Sequence, residues 1–206
     1  AGIPDGVVNV VATSSSAALT GPLLHDPRLR KLSFTGSTAV GKALLREAAA
    51  NVLRVSMELG GCAPFIVFDD ADLERAVAAA KSAKLRNMGE ACNAANRFYV
   101  AHELADEFAT RLATEFRGLV VGDGLDPATD IGPIITSEQL HRLRGLVSSA
   151  QMHGSQVLVG GEEIAGPGYF YRPTVLTVPD PGEPVVCEEL FGPVAPVVPF
   201  DSEEQV

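Results

Sequence analysis

Several features that define other classes of protein are missing from this 206-residue chain. It has 16 Lys and Arg against 26 Asp and Glu, and no run of basic residues interrupts the acidic excess. Such a surface repels phosphate backbones and anionic lipid, so we expect no nucleic-acid partner and no membrane partner. No apolar stretch approaches the roughly 18 residues of a membrane span, and no signal-peptide pattern is present. We therefore expect a cytoplasmic protein.

Cysteine is also scarce. Cys62, Cys92 and Cys187 are an odd number of thiols in a chain too long to need disulfides for stability. No two of them lie at the spacing of metal ligands, so we expect a reducing compartment and no metal site. The roles of Cys62 and Cys187 stay open, although Cys62 is a candidate redox site.

The two ends of the chain suggest that it is an internal piece of a longer protein. An initiator Met is absent, and the chain ends just after Ser202 and Gln205, which have the spacing of a helix capping box. We expect further sequence on both sides.

Short apolar runs alternate with helical patterns along the chain, which predicts an α/β fold with a parallel sheet. A long loop is expected over 120–132. The predicted strands are 7–11, 32–34, 53–58, 64–68, 97–100, 155–159, 173–178 and further strands within 184–198. A tight turn is predicted over 36–41, and helices over 42–51, 72–84, 103–117 and 137–151.

The segment from Asn87 to Arg97 holds the strongest chemical signal. Cys92 lies among small residues where a loop meets a helical turn, so backbone N–H groups could stabilise its thiolate, and Gly89 could let a substrate approach. An isolated cysteine of this kind is more often buried and inert.

Three other motifs are weaker when each is read alone. Glu58 ends an apolar strand before Gly60 and Gly61, where desolvation could make it a general base and a flat ligand could approach. Read without the cysteine, a strand-terminal ion pair followed by an ordinary turn is favoured. Gly36 and Ser37 lie between a strand and a helix, a pattern that suits a pyrophosphate or simply a capped helix. The segment Glu188 to Pro193, read alone, fits a solvated turn with one packed Phe better than any functional role.

Together the four motifs, in this order, resemble the aldehyde dehydrogenase superfamily, and within it succinate-semialdehyde dehydrogenases. The resemblance covers essentially the whole chain and matches the central part of a family member. It implies the C-terminal part of a Rossmann-like cofactor domain over residues 1–59. Most of an α/β catalytic domain with its own parallel sheet would follow over 60–206.

The resemblance also assigns roles. Cys92 would be the nucleophile that forms a thiohemiacetal and then a thioester, and Glu58 would activate the hydrolytic water. NAD or NADP would be the cofactor, a small aldehyde the substrate, and the parent a homo-oligomer. The implied cofactor contacts are Gly36, Ser37, Leu59, Gly60, Glu189 and Phe191.

Three points in this assignment need testing. Cys62 replaces the lysine that usually follows Glu-Leu-Gly-Gly in the family, and Arg97 is the candidate partner of an anionic substrate, although a structural role for it is favoured. One oxyanion-hole residue and the adenosine contacts of the family fall outside the chain, so we expect little dehydrogenase activity from these residues alone. The alternatives are a coenzyme A-acylating relative and a non-catalytic module.

Overall fold

The computed structural model describes residues 2–206, which divide into two compact units, 2–60 and 61–206. Strands and helices alternate in both, so the predicted α/β fold is confirmed. No helix in the described part of the chain is long and apolar enough to cross a membrane.

The first unit contains one parallel strand pair joined by a helix. Its elements are α1 Ser16–Leu24, β1 Lys31–Gly36, α2 Thr38–Ala49 and β2 Arg54–Leu59. In the register of the pair, Thr35 lies opposite Glu58 and Gly36 opposite Leu59. Both strands therefore end at the same edge, the one where α2 begins.

The second unit is built on a five-stranded sheet in the order β3-β4-β7-β6-β5. All neighbouring pairs are parallel except β5 with β6. The elements are β3 Pro64–Val67, α3 Leu73–Leu85, β4 Arg97–Ala101, α4 His102–Arg117, α5 Ser137–Met152, β5 Gln156–Val159, β6 Thr174–Thr177, α6 Pro184–Cys187 and β7 Val194–Phe200.

Helices cover both faces of this sheet. Successive β7 residues alternate between two core clusters: Ala195 packs with residues of α3 and α4, whereas Val194 packs with residues of α5. Because side chains alternate along a strand, a sheet buried on both faces needs apolar residues at nearly every position. The Val-rich sequence of β7 meets that need.

Three local predictions are wrong, and one helix is present that the sequence patterns did not predict. The apolar run 7–11 forms no strand, because no neighbouring strand among the described residues pairs with it. Helix α2 begins at Thr38 and not at residue 42, since Ser37 already caps it. Helix α1 was not predicted, and the valines at 185 and 186 lie in the short helix α6 that begins at Pro184.

Candidate active site

The candidate residues of the second unit gather at one edge of its sheet. Cys92 precedes β4, Cys62 precedes β3, and Glu189 precedes β7. These three strands are neighbours and parallel, so their amino ends meet. Three segments that are far apart in sequence are thereby brought to one place.

Cys92 lies in an exposed turn between α3 and β4. The approach to it is a 3-10 turn, Arg86–Gly89, in which Asn87 and Met88 adopt positive φ angles of 49° and 59°. Such angles cost non-glycine residues about 1 kcal/mol or more each, and they persist only where the surroundings enforce them. The side chain of Asn87 donates to the Glu90 carbonyl at 2.8 Å, which closes the turn.

Contacts on both sides of Cys92 hold this turn in place. The Glu90 carboxylate accepts the Ile135 N–H at 3.1 Å, and burial raises the pKa of Glu90 while that hydrogen bond lowers it. After the cysteine, the Ala95 N–H donates to the Ala83 carbonyl at 3.0 Å. The exposed thiol is therefore carried on a backbone that is fixed before and after it.

Gly89 ends the 3-10 turn before Cys92, within residues 86–95 (the cysteine turn), and it contacts the backbone of the segment 189–193. Its φ is +79°, and a Cβ added there would lie 2.3 Å from the Gly192 carbonyl oxygen and 3.0 Å from the Lys84 carbonyl oxygen. Both atoms belong to the main chain. The expected role of Gly89 in substrate approach is wrong, since Gly89 is buried and its missing side chain allows two backbone segments to touch.

Three polar side chains fix the backbone of residues 188–191. The buried Asn96 amide accepts the Leu190 N–H at 2.7 Å and donates to the Glu188 carbonyl at 2.7 Å. Gln139 donates to the Leu190 carbonyl at 2.6 Å, and Arg142 donates to the Glu189 carbonyl at 2.9 Å. The conformation that presents residues 189 and 191 is thus specified by residues of the cysteine segment and of α5.

Glu189 and Phe191 both face outward from this held segment. The Glu189 carboxylate accepts the Gly61 N–H at 3.3 Å. Phe191 has a φ of 48° and is 36% exposed. A partly buried carboxylate and an exposed aromatic ring two residues apart are suited to hydroxyl groups and a flat ring, respectively.

In the first unit, four of the predicted residues lie at the carboxyl edge of the strand pair. Ser37 is the N-cap of α2 and accepts the Val40 N–H at 3.4 Å, and Gly36 adds no side chain in front of that helix end. A helix N-terminus attracts anions, so this edge fits a pyrophosphate. Glu58 is exposed, so its expected desolvation is not observed, and Leu59 packs against Gly41 of α2.

The aldehyde dehydrogenase family model matches residues 1–206. The chain belongs to the aldehyde dehydrogenase family. The resemblance seen in the sequence is thereby confirmed.

Individual aldehyde dehydrogenases are similar over the same region. A succinate-semialdehyde dehydrogenase of Paenarthrobacter nicotinovorans is 52% identical over 99% of this chain and 45% of its own length. A 3-sulfolactaldehyde dehydrogenase of Pseudomonas putida is 45% identical over 100% of the chain and 42% of its own length. A solved structure, an NADP-dependent enzyme of E. coli, has a TM-score of 0.93 and 44% identity over 99% of this chain and 42% of its own.

The chain thus spans less than half the length of these family members. It carries both residues to which the resemblance gives chemical roles. Each lies in a different one of the two units, Glu58 in the first and Cys92 in the second.

The residues that position this aldehyde dehydrogenase segment do not stand out in the sequence. Asn96 falls inside the cysteine motif, and Gln139 and Arg142 resemble ordinary helix residues. One signal is present in α5, where the polar residues Gln139 and Arg142 each lie next to a buried leucine, Leu140 or Leu143. The partners of Asn96, Gln139 and Arg142, however, lie 46 to 94 positions away in sequence.

Proposed function

We propose that the chain is the catalytic part of an NAD(P)-dependent aldehyde dehydrogenase that oxidises succinic semialdehyde. The net reaction converts aldehyde, NAD(P)+ and water into carboxylate, NAD(P)H and protons. The observation that carries the proposal is the exposed Cys92 thiol on a turn whose strained backbone is fixed on both sides.

Cys92 acts as the nucleophile. Its sulfur attacks the aldehyde carbon, and the carbonyl π electrons move to oxygen to give a thiohemiacetal. The Cys92 backbone N–H donates to no acceptor among residues 2–206, so it is available to the developing oxyanion. Loss of hydride from the thiohemiacetal leaves a thioester on the same sulfur.

The nicotinamide cofactor, when bound, accepts that hydride. In the first unit, Gly36 and the α2 N-terminus capped by Ser37 would hold its pyrophosphate, and Leu59 and Gly60 would border it. In the second unit, Glu189 would bind ribose hydroxyls, and Phe191 would pack beside the nicotinamide ring. The rigid support of residues 188–191 by Asn96, Gln139 and Arg142 favours a binding role for that segment.

Glu58 acts as the general base of the second half-reaction. It accepts a proton from water, which attacks the thioester carbon and releases the carboxylate and the Cys92 thiolate. A carboxylate would have little purpose if coenzyme A took the acyl group instead, so Glu58 favours hydrolysis.

An exposed arginine supports an anionic aldehyde as the substrate. Arg86 lies in the 3-10 turn six positions before Cys92, is exposed, and forms no ion pair among the described residues. Arg97, the candidate from sequence, is half-buried at the start of β4 with its guanidinium 5.8 Å from the centre of the Tyr99 ring. Arg86 is therefore the better partner for the carboxylate of succinic semialdehyde. A cytoplasmic location and a homo-oligomeric whole protein remain predictions.

The roles of Cys92 and Glu58 are tested by following an acyl group without the cofactor. Reaction with a p-nitrophenyl ester should acylate Cys92 in the wild-type chain and leave Cys92→Ser unmodified, as read by peptide mass. Glu58→Gln should be acylated equally fast but should lose its acyl group to water at least tenfold more slowly. Equal deacylation rates would overturn the assignment of Glu58, and deacylation that requires added coenzyme A would favour acyl transfer.

A further inference from the structure

Two cysteines that take no part in the proposed chemistry are in contact in the second unit. The Cys62 sulfur lies 3.3 Å from the carbonyl oxygen of Cys187, although 125 positions separate them in sequence. The Cys187 sulfur in turn contacts the Pro181 carbonyl oxygen at 3.3 Å. Both thiols are free, with Cys187 exposed and Cys62 partly buried.

We propose that Cys62 and Cys187 form a reversible disulfide when the protein meets a peroxide. The Cys62 sulfur touches the main chain of Cys187, and the bond requires the Cys187 side chain to rotate away from Pro181. A disulfide joins Cα atoms about 4.4–6.8 Å apart, and a sulfur–carbonyl contact of 3.3 Å is compatible with that span.

The exposed thiol reacts first. Hydrogen peroxide oxidises the Cys187 thiol to a sulfenic acid as the O–O bond breaks, and one water is released. The Cys62 sulfur then attacks the Cys187 sulfur, the S–S bond forms, and the hydroxyl group leaves with the Cys62 proton as a second water. The two thiols together lose two protons and two electrons, which reduce the peroxide to two molecules of water.

The surroundings of Cys62 suit the second, resolving role. Burial raises the pKa of its thiol, while the nearby Arg97 guanidinium lowers it and the Glu189 carboxylate raises it further. A thiol that is partly buried and less ionised is protected from direct attack by peroxide. It remains able to reach a sulfenic acid that forms beside it.

The disulfide would link the segment that carries Glu189 to the segment that contacts the Glu189 carboxylate. Gly61, adjacent to Cys62, donates its N–H to the Glu189 carboxylate, and Cys187 lies two residues before Glu189. If the proposed function is correct, oxidation would thus act on a cofactor contact. The disulfide itself does not depend on that function.

The test counts and maps thiols in the full 206-residue chain. After brief treatment with hydrogen peroxide, removal of peroxide and alkylation in denaturant, we expect a linked Cys62–Cys187 peptide two hydrogens lighter than its parts, whatever the oxidation state of the exposed Cys92. Dithiothreitol should restore the Cys62 and Cys187 thiols. Cys92→Ser should still form the link, whereas Cys62→Ser and Cys187→Ser should not.

A matched sample that is unfolded before oxidation separates proximity from chance pairing. In denaturant the preference for Cys62–Cys187 should be lost. Links that involve Cys92, links between copies, or three alkylatable thiols after peroxide would each overturn the proposal. These readouts involve no aldehyde or cofactor, so such a failure would leave the proposed role of Cys92 untouched.

Discussion

Replacement of Gly89 by alanine tests whether the cysteine turn is fixed by contact with the Gly192 backbone. A Cβ at Gly89 would lie 2.3 Å from the Gly192 carbonyl oxygen and 3.0 Å from the Lys84 carbonyl oxygen, and the residue has a φ of +79°. The left-handed backbone costs alanine about 1–2 kcal/mol. Overpacking against main-chain atoms adds about 1–3 kcal/mol, because neither segment can move without losing hydrogen bonds.

We therefore expect Gly89→Ala to lower the unfolding free energy of the second unit by about 2–5 kcal/mol. The measurement is urea unfolding followed by tyrosine fluorescence. The chain has no tryptophan, and its three tyrosines, Tyr99, Tyr169 and Tyr171, all lie in the second unit. With an m value of about 2 kcal/mol per molar urea, the midpoint should fall by about 1–2.5 M.

Gly145→Ala is the matched control. Gly145 lies within α5, is exposed, and a Cβ there would meet nothing within 4 Å. Alanine in a helix interior is better than glycine by about 0.5–1 kcal/mol, so this variant should be slightly more stable than the wild type. A Gly89→Ala chain that unfolds at the wild-type midpoint would refute the reasoning.

Three further predictions follow from the same contacts. Asn96→Ala leaves the Leu190 N–H and the Glu188 carbonyl without their partner, so the unfolding free energy should fall by about 2–4 kcal/mol in the same urea assay, while exposed Asn93→Ala should change little. Burial lowers the pKa of the Lys84 ammonium from 10.5 to about 7. Above pH 7 the unfolded chain therefore binds more protons than the folded chain, so stability should rise by about 2 kcal/mol between pH 7 and pH 9. Circular dichroism in urea should show this rise in the wild type and not in Lys84→Met, and equal rises would contradict it. Succinic semialdehyde should slow the alkylation of Cys92 at lower concentration than uncharged butanal; Arg86→Ala should lose that difference, whereas Arg75→Ala should keep it.

Local sequence patterns predicted most elements because each pattern reflects what an element buries. In α4, Leu104, Phe108 and Leu112 recur with the period of a helix, and the structure buries Phe108 and Leu112 completely while Leu104 packs against the same core. The sequence does not predict helix α1, because the helix contains Gly21 and Pro22 and its apolar residues do not recur with a helical period.

The residues that position the candidate site could not be predicted in the same way. The Asn96 side chain forms hydrogen bonds with Glu188 and Leu190, which are more than 90 positions away in sequence. Only the parallel pairing of β4 and β7 brings these segments together. Lys84 reads as an ordinary cation in the last turn of α3, where it would favour the helix dipole, yet the fold buries it fully. Sequence patterns describe local structure, whereas these environments depend on which segments the sheet places side by side.

The measurement that tests the central claim most directly is the rate at which iodoacetamide alkylates each cysteine with and without succinic semialdehyde, resolved by peptide mass. The account predicts that Cys92 is alkylated fastest, and that the aldehyde protects Cys92 by forming a thiohemiacetal while it leaves the rates at Cys62 and Cys187 unchanged. Protection that is equal at all three thiols, or absent at Cys92, would contradict the assignment of Cys92 as the nucleophile.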